Sequence, residues 1–229
     1  MSERPTPDGL DWDRIDAVLC DMDGTLLDLR FDQHFWVEAV PAAWGAHRGM
    51  ALAEAQQELR PLFARHSGTL NWYCLDFWTR TLGLDVRALK RDLAHGIGYL
   101  PGIEAVLARL ARSGRARLLV TNAHPDVLAI KNERTGLLAH FDSAWSTHDF
   151  GAPKEDPEFW QRFARRSGVN LERALLLDDS VPVLDGALGG GVGQVVGILR
   201  PSTEHPPRPA SGRYHEVHSL AELDWGDLD

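Results

Sequence analysis

Asp21 and Asp23 lie one residue apart, where the apolar run Ile15 to Cys20 ends and Gly24-Thr25 begins. Three later segments bring further reactive groups. They are Thr121-Asn122 after Arg117 to Val120, Lys154 within Gly151-Ala152-Pro153-Lys154-Glu155-Asp156, and Asp178-Asp179 after Ala174 to Leu177. Such a set suits chemistry at a phosphate. A carboxylate can attack phosphorus, but it meets a phosphate dianion as like charge. With Asp21, Asp178 and Asp179 ionised, Lys154 protonated and Asp23 neutral, the group is net negative. A divalent cation brings it close to neutral. Magnesium is the natural choice, because it is hard, prefers carboxylate oxygens and accepts a substrate phosphate oxygen. Crowding raises the pKa of one of the acids. A raised acid beside a leaving group is a general acid, worth about 10²–10⁴-fold in rate. Thr121, Asn122 and nearby N–H groups are candidates for holding phosphate oxygens, and Lys154 for neutralising charge in the transition state.

Taken singly, each of these segments has an ordinary reading. Acids and glycine after a strand make solvated turns, Thr-Asn pairs cap helices, and a lysine is usually on the surface. Asp178-Asp179 is the least ordinary, since two acids closing an aliphatic strand are costly unless paired or metal-bound. What joins them is the elements that carry them. Ile15 to Cys20 is apolar on both faces, as a central strand of a covered parallel sheet is. From Gly98 onward strands and helices alternate, which predicts parallel strands with helices on both faces. In such a sheet ligands bind beyond the carboxyl ends of the strands, and all four segments fall there.

Between these halves the pattern is helical. Stripes at Phe31–Val40, Leu52–Phe63, Leu70–Leu82 and Val86–Leu93 predict four helices without an intervening strand. The fold class is therefore α/β: a Rossmann-like parallel core over residues 11–30 and 99–200, with an all-helical insert at 31–98. The tail, 201–229, is rich in proline and then polar. It is expected to pack on or near the core, with one weak strand or turn at Tyr214 to Val217.

The chain has 229 residues, 44% hydrophobic and 25% charged, with net charge −9. An acidic balance disfavours nucleic acid and anionic membrane as partners. Cys20 and Cys74 form neither a disulfide framework nor a zinc pattern. Met1 to Asp13 lacks the apolar stretch of a signal peptide, and no run is long enough to span a membrane. The expected location is the cytoplasm, as a monomer or homodimer.

The order Asp-Met-Asp-Gly-Thr, Thr-Asn, Lys, Asp-Asp resembles that of the haloacid dehalogenase superfamily of phosphohydrolases. The resemblance implies that Asp21 is a nucleophile forming an aspartyl-phosphate. Asp23 is then the acid that protonates the leaving oxygen and later the base that activates water. Magnesium would be held by Asp21, the main-chain carbonyl of Asp23 and Asp179, with Asp178 ligating directly or through water. Thr121 would bind phosphate, and Lys154 would stabilise Asp21 and the phosphoryl group. The insert would be the family's helical cap, hinged near Leu29-Arg30 and Gly96 to Pro101. Phe31–Trp36, Thr69–Asp76, Leu119–Pro125 and Ser146–Asp156 further resemble the GMP/IMP 5′-nucleotidases of this superfamily, which implies a small phosphorylated metabolite, a purine nucleotide by preference.

The alternatives are a sugar-phosphate or phosphoglycolate phosphatase, a phosphomutase of the β-phosphoglucomutase type, and a catalytically silent binding module with the same fold. A dehalogenase is disfavoured by Asp23, an acid that such enzymes do not need. In the cap, Asn71, Trp72 and Tyr73 are candidates to meet a base, although aromatic stripes at helical spacing usually form core. His124 either faces the site or is a plain loop histidine.

Overall fold

The computed structural model describes residues 9–226. Met1 to Asp8, the first part of the polar N-terminal stretch, lie outside the described residues. Six parallel strands form one sheet: β1 (Ala17–Cys20), β2 (Ala116–Thr121), β3 (Ser143–Ser146), β4 (Ala174–Asp178), β5 (Gln194–Ile198) and β6 (His215–Val217), in the spatial order β3-β2-β1-β4-β5-β6. β1 is central because the chain runs outward from it twice, to β2 and β3 on one side and to β4, β5 and β6 on the other. The carboxyl ends of β1, β2 and β4 therefore meet where the strand order reverses.

The apolar character of β1 on both faces has a direct explanation. Val18 and Cys20 point into one core, and Ala17 and Leu19 into another, as the two-residue strand period requires. The first core lies under helices α7 (Ile103–Arg112) and α8 (Pro125–Thr135). The second lies under α9 (Pro157–Ser167) and α10 (Val181–Gly189), where Phe159, Trp160 and Phe163 fill it.

The helical insert comprises α1 (Arg30–His34), a π-helical turn (Phe35–Ala39), α2 (Val40–Ala46), α3 (Leu52–His66), α4 (Leu70–Tyr73), α5 (Leu75–Leu82) and α6 (Val86–Asp92). The stripe predicted as one helix from Leu70 to Leu82 breaks at Cys74, which is extended at φ −91° and ψ 110°. Its Sγ accepts from the N–H of Phe77 at 3.4 Å and caps α5. The break frees the carbonyl of Trp72, which accepts from Trp78 Nε1 at 2.8 Å. Trp36, Phe63, Trp72 and Trp78 interlock as one aromatic cluster. Trp78 is wholly buried in it, so the packing reading holds for that ring. Buried insert residues such as Leu59, Leu75 and Val86 join the same apolar core as β1 and α7.

The tail belongs to the sheet. The weak strand foreseen near Tyr214 forms as β6, in parallel register with β5 from Val196 to Ile198. Beyond it Leu220, Leu223 and Trp225 are buried in the first core, and Trp225 packs on Trp12 with ring centroids 5.5 Å apart. Asp28 makes a further joint. Its carboxylate accepts from the N–H of Arg30 and from both the N–H and hydroxyl of Thr203, while its own N–H donates to Gly98 O. The two chain segments entering and leaving the insert and the tail thus meet at one buried residue. No helix among the described residues is long and apolar enough to cross a membrane.

Candidate active site

β1, β2 and β4 deliver the expected groups to one place. Asp21 continues the ladder beyond β1, its N–H donating to Leu177 O at 2.9 Å. Thr121 ends β2 and Asp178 ends β4. The loop before α9 brings Lys154 between them. Its ammonium bonds to Asp21 Oδ1, to Asp178 Oδ2 at 2.7 Å and to Val120 O at 3.1 Å. An ammonium this deeply buried is tolerated only when paired. Burial would lower its pKa, but Asp178 and Asp21 outweigh burial and keep Lys154 charged.

Asn122 supports this lysine. Its Oδ1 accepts from the N–H of Lys154 at 2.9 Å, and its Nδ2 donates to Glu155 Oε2 at 2.9 Å. Both ends of the amide are engaged with the lysine loop. Tyr73, from the cap, donates its hydroxyl to the other Glu155 oxygen at 2.7 Å. The Thr121 hydroxyl accepts from the N–H of Ala123 at 3.0 Å, which leaves its proton available to a guest.

Asp21, Asp178 and Asp179 each bring a carboxylate oxygen within 4.8 Å of the others. Burial, then the charges of Asp178 and Asp21, push Asp179 up to about 8. Burial likewise pushes Asp21 up to about 6, although Lys154 opposes it. An all-oxygen set of crowded acids fits a hard divalent ion. Gly24 makes room for the Asp179 carboxyl: at φ +87°, a Cβ there would stand 2.7 Å from its carboxyl carbon, so a side chain would displace that acid. Arg208, from the tail, donates to Asp179 Oδ2 at 3.0 Å and to its carbonyl at 2.7 Å.

The Asp23 side chain stands apart from that trio. It pairs with Lys131 on α8, whose ammonium also donates to Asp32 Oδ2 at 2.5 Å, and Asp32 Oδ1 in turn accepts from Lys90 at 2.7 Å. Burial pushes Asp23 up to about 6, since Lys131 only partly offsets it and Asp32 and Asp21 add like charge. Burial also works against Asp32, but Lys131 and Lys90 overcome it and hold that carboxyl well below its usual range. Of this chain, only Asp23 was singled out from sequence. Lys131 had a visible signal, because it follows Val127 and Ile130 on the buried face of α8. Asp32 and Lys90 had none, since their partners lie 58 and 99 residues away. Arg208 was also missed.

Above these groups lies a cleft of about 340 Å³, lined from the core by Asp21, Asp23, Thr121, Lys154 and Asp179 and from the insert by Trp36, Trp72, Tyr73 and Lys90. Of the three insert candidates, Trp72 and Tyr73 line it and Asn71 does not. His124 does not line it either. The chemistry available is attack by a buried carboxylate, proton exchange at a second carboxyl tuned near neutrality, and stabilisation of an anion by Lys154, Thr121 and a cation held by three acids.

The model of the haloacid dehalogenase-like hydrolases matches residues 15–191. The chain is 44% identical over 192 residues to the GMP/IMP nucleotidase YrfG of Escherichia coli K12, covering 84% of this chain and 86% of that one. Among solved structures it superposes on a HAD phosphatase from Thermococcus onnurineus with a TM-score of 0.76 at 24% identity, over 91% of this chain and 95% of that one. CbbY from Rhodobacter sphaeroides, solved with phosphate, superposes with a TM-score of 0.65 at 19% identity, over 91% and 96%. These two likenesses speak to the fold.

Proposed function

The chain belongs to the haloacid dehalogenase-like hydrolase family and is a phosphohydrolase, and from that premise we propose that it cleaves the phosphate of purine nucleoside 5′-monophosphates, GMP and IMP by preference. The observation that carries the reading is the placement of Asp21. Its carboxylate lies on the floor of the cleft, fixed by Lys154, while Trp36 and Trp72 line the same space from the insert. The sequence relation to a GMP/IMP nucleotidase supports the choice of substrate.

In this reading an Asp21 oxygen attacks phosphorus on the side opposite the ester oxygen. The phosphorus–ester bond breaks as the bond to Asp21 forms, and the leaving oxygen takes its proton from Asp23. Water then enters, Asp23 recovers a proton from it, and the oxygen so activated attacks phosphorus. The bond to Asp21 breaks, inorganic phosphate leaves and both carboxyls return to their starting states. A group with a pKa of about 6 can give the first proton and accept the second without a large penalty in either step. Lys154 and Thr121 bind the phosphoryl oxygens, and Asn122 holds the lysine loop in place.

Asp21, Asp178 and Asp179 would hold the metal ion, with the main-chain carbonyl of Asp23 as a further donor. When bound there, a magnesium ion neutralises carboxylate charge so that a phosphate dianion can approach Asp21.

The test is a phosphate-release screen over nucleoside monophosphates, sugar phosphates and phosphoglycolate, with magnesium and with chelator. GMP and IMP should exceed pyrimidine nucleotides in kcat/KM by at least tenfold, and chelation should abolish release. A preference for a sugar phosphate would discard the nucleotide reading.

A further inference from the structure

A second cluster of metal-ligating groups lies at the seam between insert and core, apart from the carboxylates. Cys74 sits at the break between α4 and α5, His124 caps the N-terminus of α8, and His148 lies in the short turn after β3. Their ligand atoms all lie within 4.8 Å of one another. The His124 and His148 rings meet edge to face with centroids 5.0 Å apart. His148 Nε2 is buried and has no hydrogen-bond partner, the kind of orphan group that native structures rarely leave without a reason. His124 Nδ1 accepts from the N–H of Asp126 at 3.2 Å. That bond orients the ring through one nitrogen and leaves the other, Nε2, for a different partner. An Asp76 oxygen lies 3.8 Å from this Nε2.

We propose that Cys74, His124 and His148 form a second metal site, for Zn²⁺ or a similarly soft divalent ion, which ties the helical cap to the core. One sulfur and two imidazoles select such an ion against magnesium, which the oxygen-only trio prefers. Three protein ligands match a zinc site that keeps its fourth position for water or for Asp76. Zinc bonds of about 2.0–2.3 Å set tetrahedral ligands roughly 3.3–3.8 Å apart. The ligand atoms, already within 4.8 Å of one another, therefore need at most a small further approach between the α4–α5 turn and the loops after β2 and β3. Sequence spacing hides the site because its ligands come from three separate loops.

The seam matters because both sides of it run directly into the cleft. Tyr73, just before Cys74, and Thr121 to Ala123, just before His124, all line the cleft. A metal at the seam holds the cap down over a site that must open to exchange nucleotide for product. Zinc is then a reversible brake acting at a place other than the magnesium site. The proposal stands whichever phosphomonoester the enzyme prefers.

The experiment titrates Co²⁺ into the metal-free, fully reduced full-length chain and follows absorbance. A site containing Cys74 gives a thiolate-to-cobalt charge-transfer band in the near ultraviolet, which carboxylate ligands cannot produce. Cys74→Ser should lose the band, and His148→Ala should weaken the binding that produces it at least tenfold. Serine is a favoured helix N-cap, so Cys74→Ser keeps the start of α5. With magnesium saturating, Zn²⁺ should inhibit the parent enzyme at concentrations at least tenfold below those needed for Cys74→Ser, each compared with its own zinc-free rate. Absence of the band, or equal zinc sensitivity in Cys74→Ser, would overturn the proposal and leave Cys74 as a helix cap.

Discussion

Lys131 and Asp23 form an ion pair that joins helix α8 to the loop after β1. The same ammonium holds Asp32, at the start of the cap. The carboxyl assigned to proton transfer is therefore set by a residue of the core and, through it, by a residue of the cap. Lys131 lowers the pKa of Asp23 against the effect of burial. Lys131→Met should raise that pKa, so that Asp23 stays protonated to higher pH. Dephosphorylation, which needs Asp23 as a base, should slow by about 10–100-fold, so that kcat and KM fall together and kcat/KM changes little. The pH optimum should move upward and covalent phosphoenzyme should accumulate. Acid quenching with labelled substrate, together with a pH–rate profile, measures both.

Asp21→Asn should lose activity by at least about 10³-fold, because an amide oxygen is a poor nucleophile toward phosphorus. Lys154 keeps Asp178 and the carbonyl of Val120 as partners, so the fold should survive. An unchanged circular dichroism spectrum with no phosphoenzyme in the quench would support the assignment. Turnover at the parent rate would refute it.

Asp179 carries a stability consequence with a definite sign. Its folded pKa of about 8 exceeds the ordinary value of 3.8. Between those values the folded state binds more protons than the unfolded state, so stability falls as pH rises through that window. Metal-free enzyme should melt at a lower temperature at pH 8 than at pH 6. Magnesium should raise the melting temperature more at pH 8, where the acids are charged. Asp179→Asn, measured without metal at pH 8, should be more stable by about 1–3 kcal/mol, while losing the benefit of magnesium. Thermal melts at both pH values, with and without metal, decide the matter.

Trp72 tests the substrate assignment. Stacking on an aromatic ring is worth about 1–3 kcal/mol per base. Trp72→Ala should therefore raise KM for GMP by roughly 5–100-fold, while kcat/KM for a small phosphomonoester without a base changes much less. Trp72→Phe, which keeps a ring in the cluster, should recover most of the loss. Equal effects on both substrates would mean that Trp72 serves packing alone.

The strand-end acids, Thr121 and Lys154 were legible because a parallel sheet places the ends of its strands together, whatever their distance along the chain. The strands themselves were legible because β1 and β4 are apolar on both faces. The rest depended on tertiary partners. The break at Cys74 has no glycine or proline to announce it, and is set by Trp78 bonding to the carbonyl of Trp72. β6 is only His-Glu-Val, and forms as an edge strand by pairing with β5. The Lys131–Asp32–Lys90 relay draws on three helices whose own periodicity says nothing about one another. Asn122 shows the same limit at closer range: its place at the strand end was readable, but not that both ends of its amide serve the lysine loop.

Trp12 and Trp225 pack against each other; Trp12 precedes β1 and its carbonyl accepts from Arg115 just before β2, at the amino ends of strands whose carboxyl ends carry the acids. The described chain is thus close to a closed ring, and its two ends take no part in the chemistry. A circular permutant that joins the ends by a short linker and opens at Gly68, an exposed left-handed turn between α3 and α4, keeps every strand-end motif in its original order around the ring. The chain would then begin and end inside the cap, and the cap would become two separately tethered halves that could be exchanged without cutting the core.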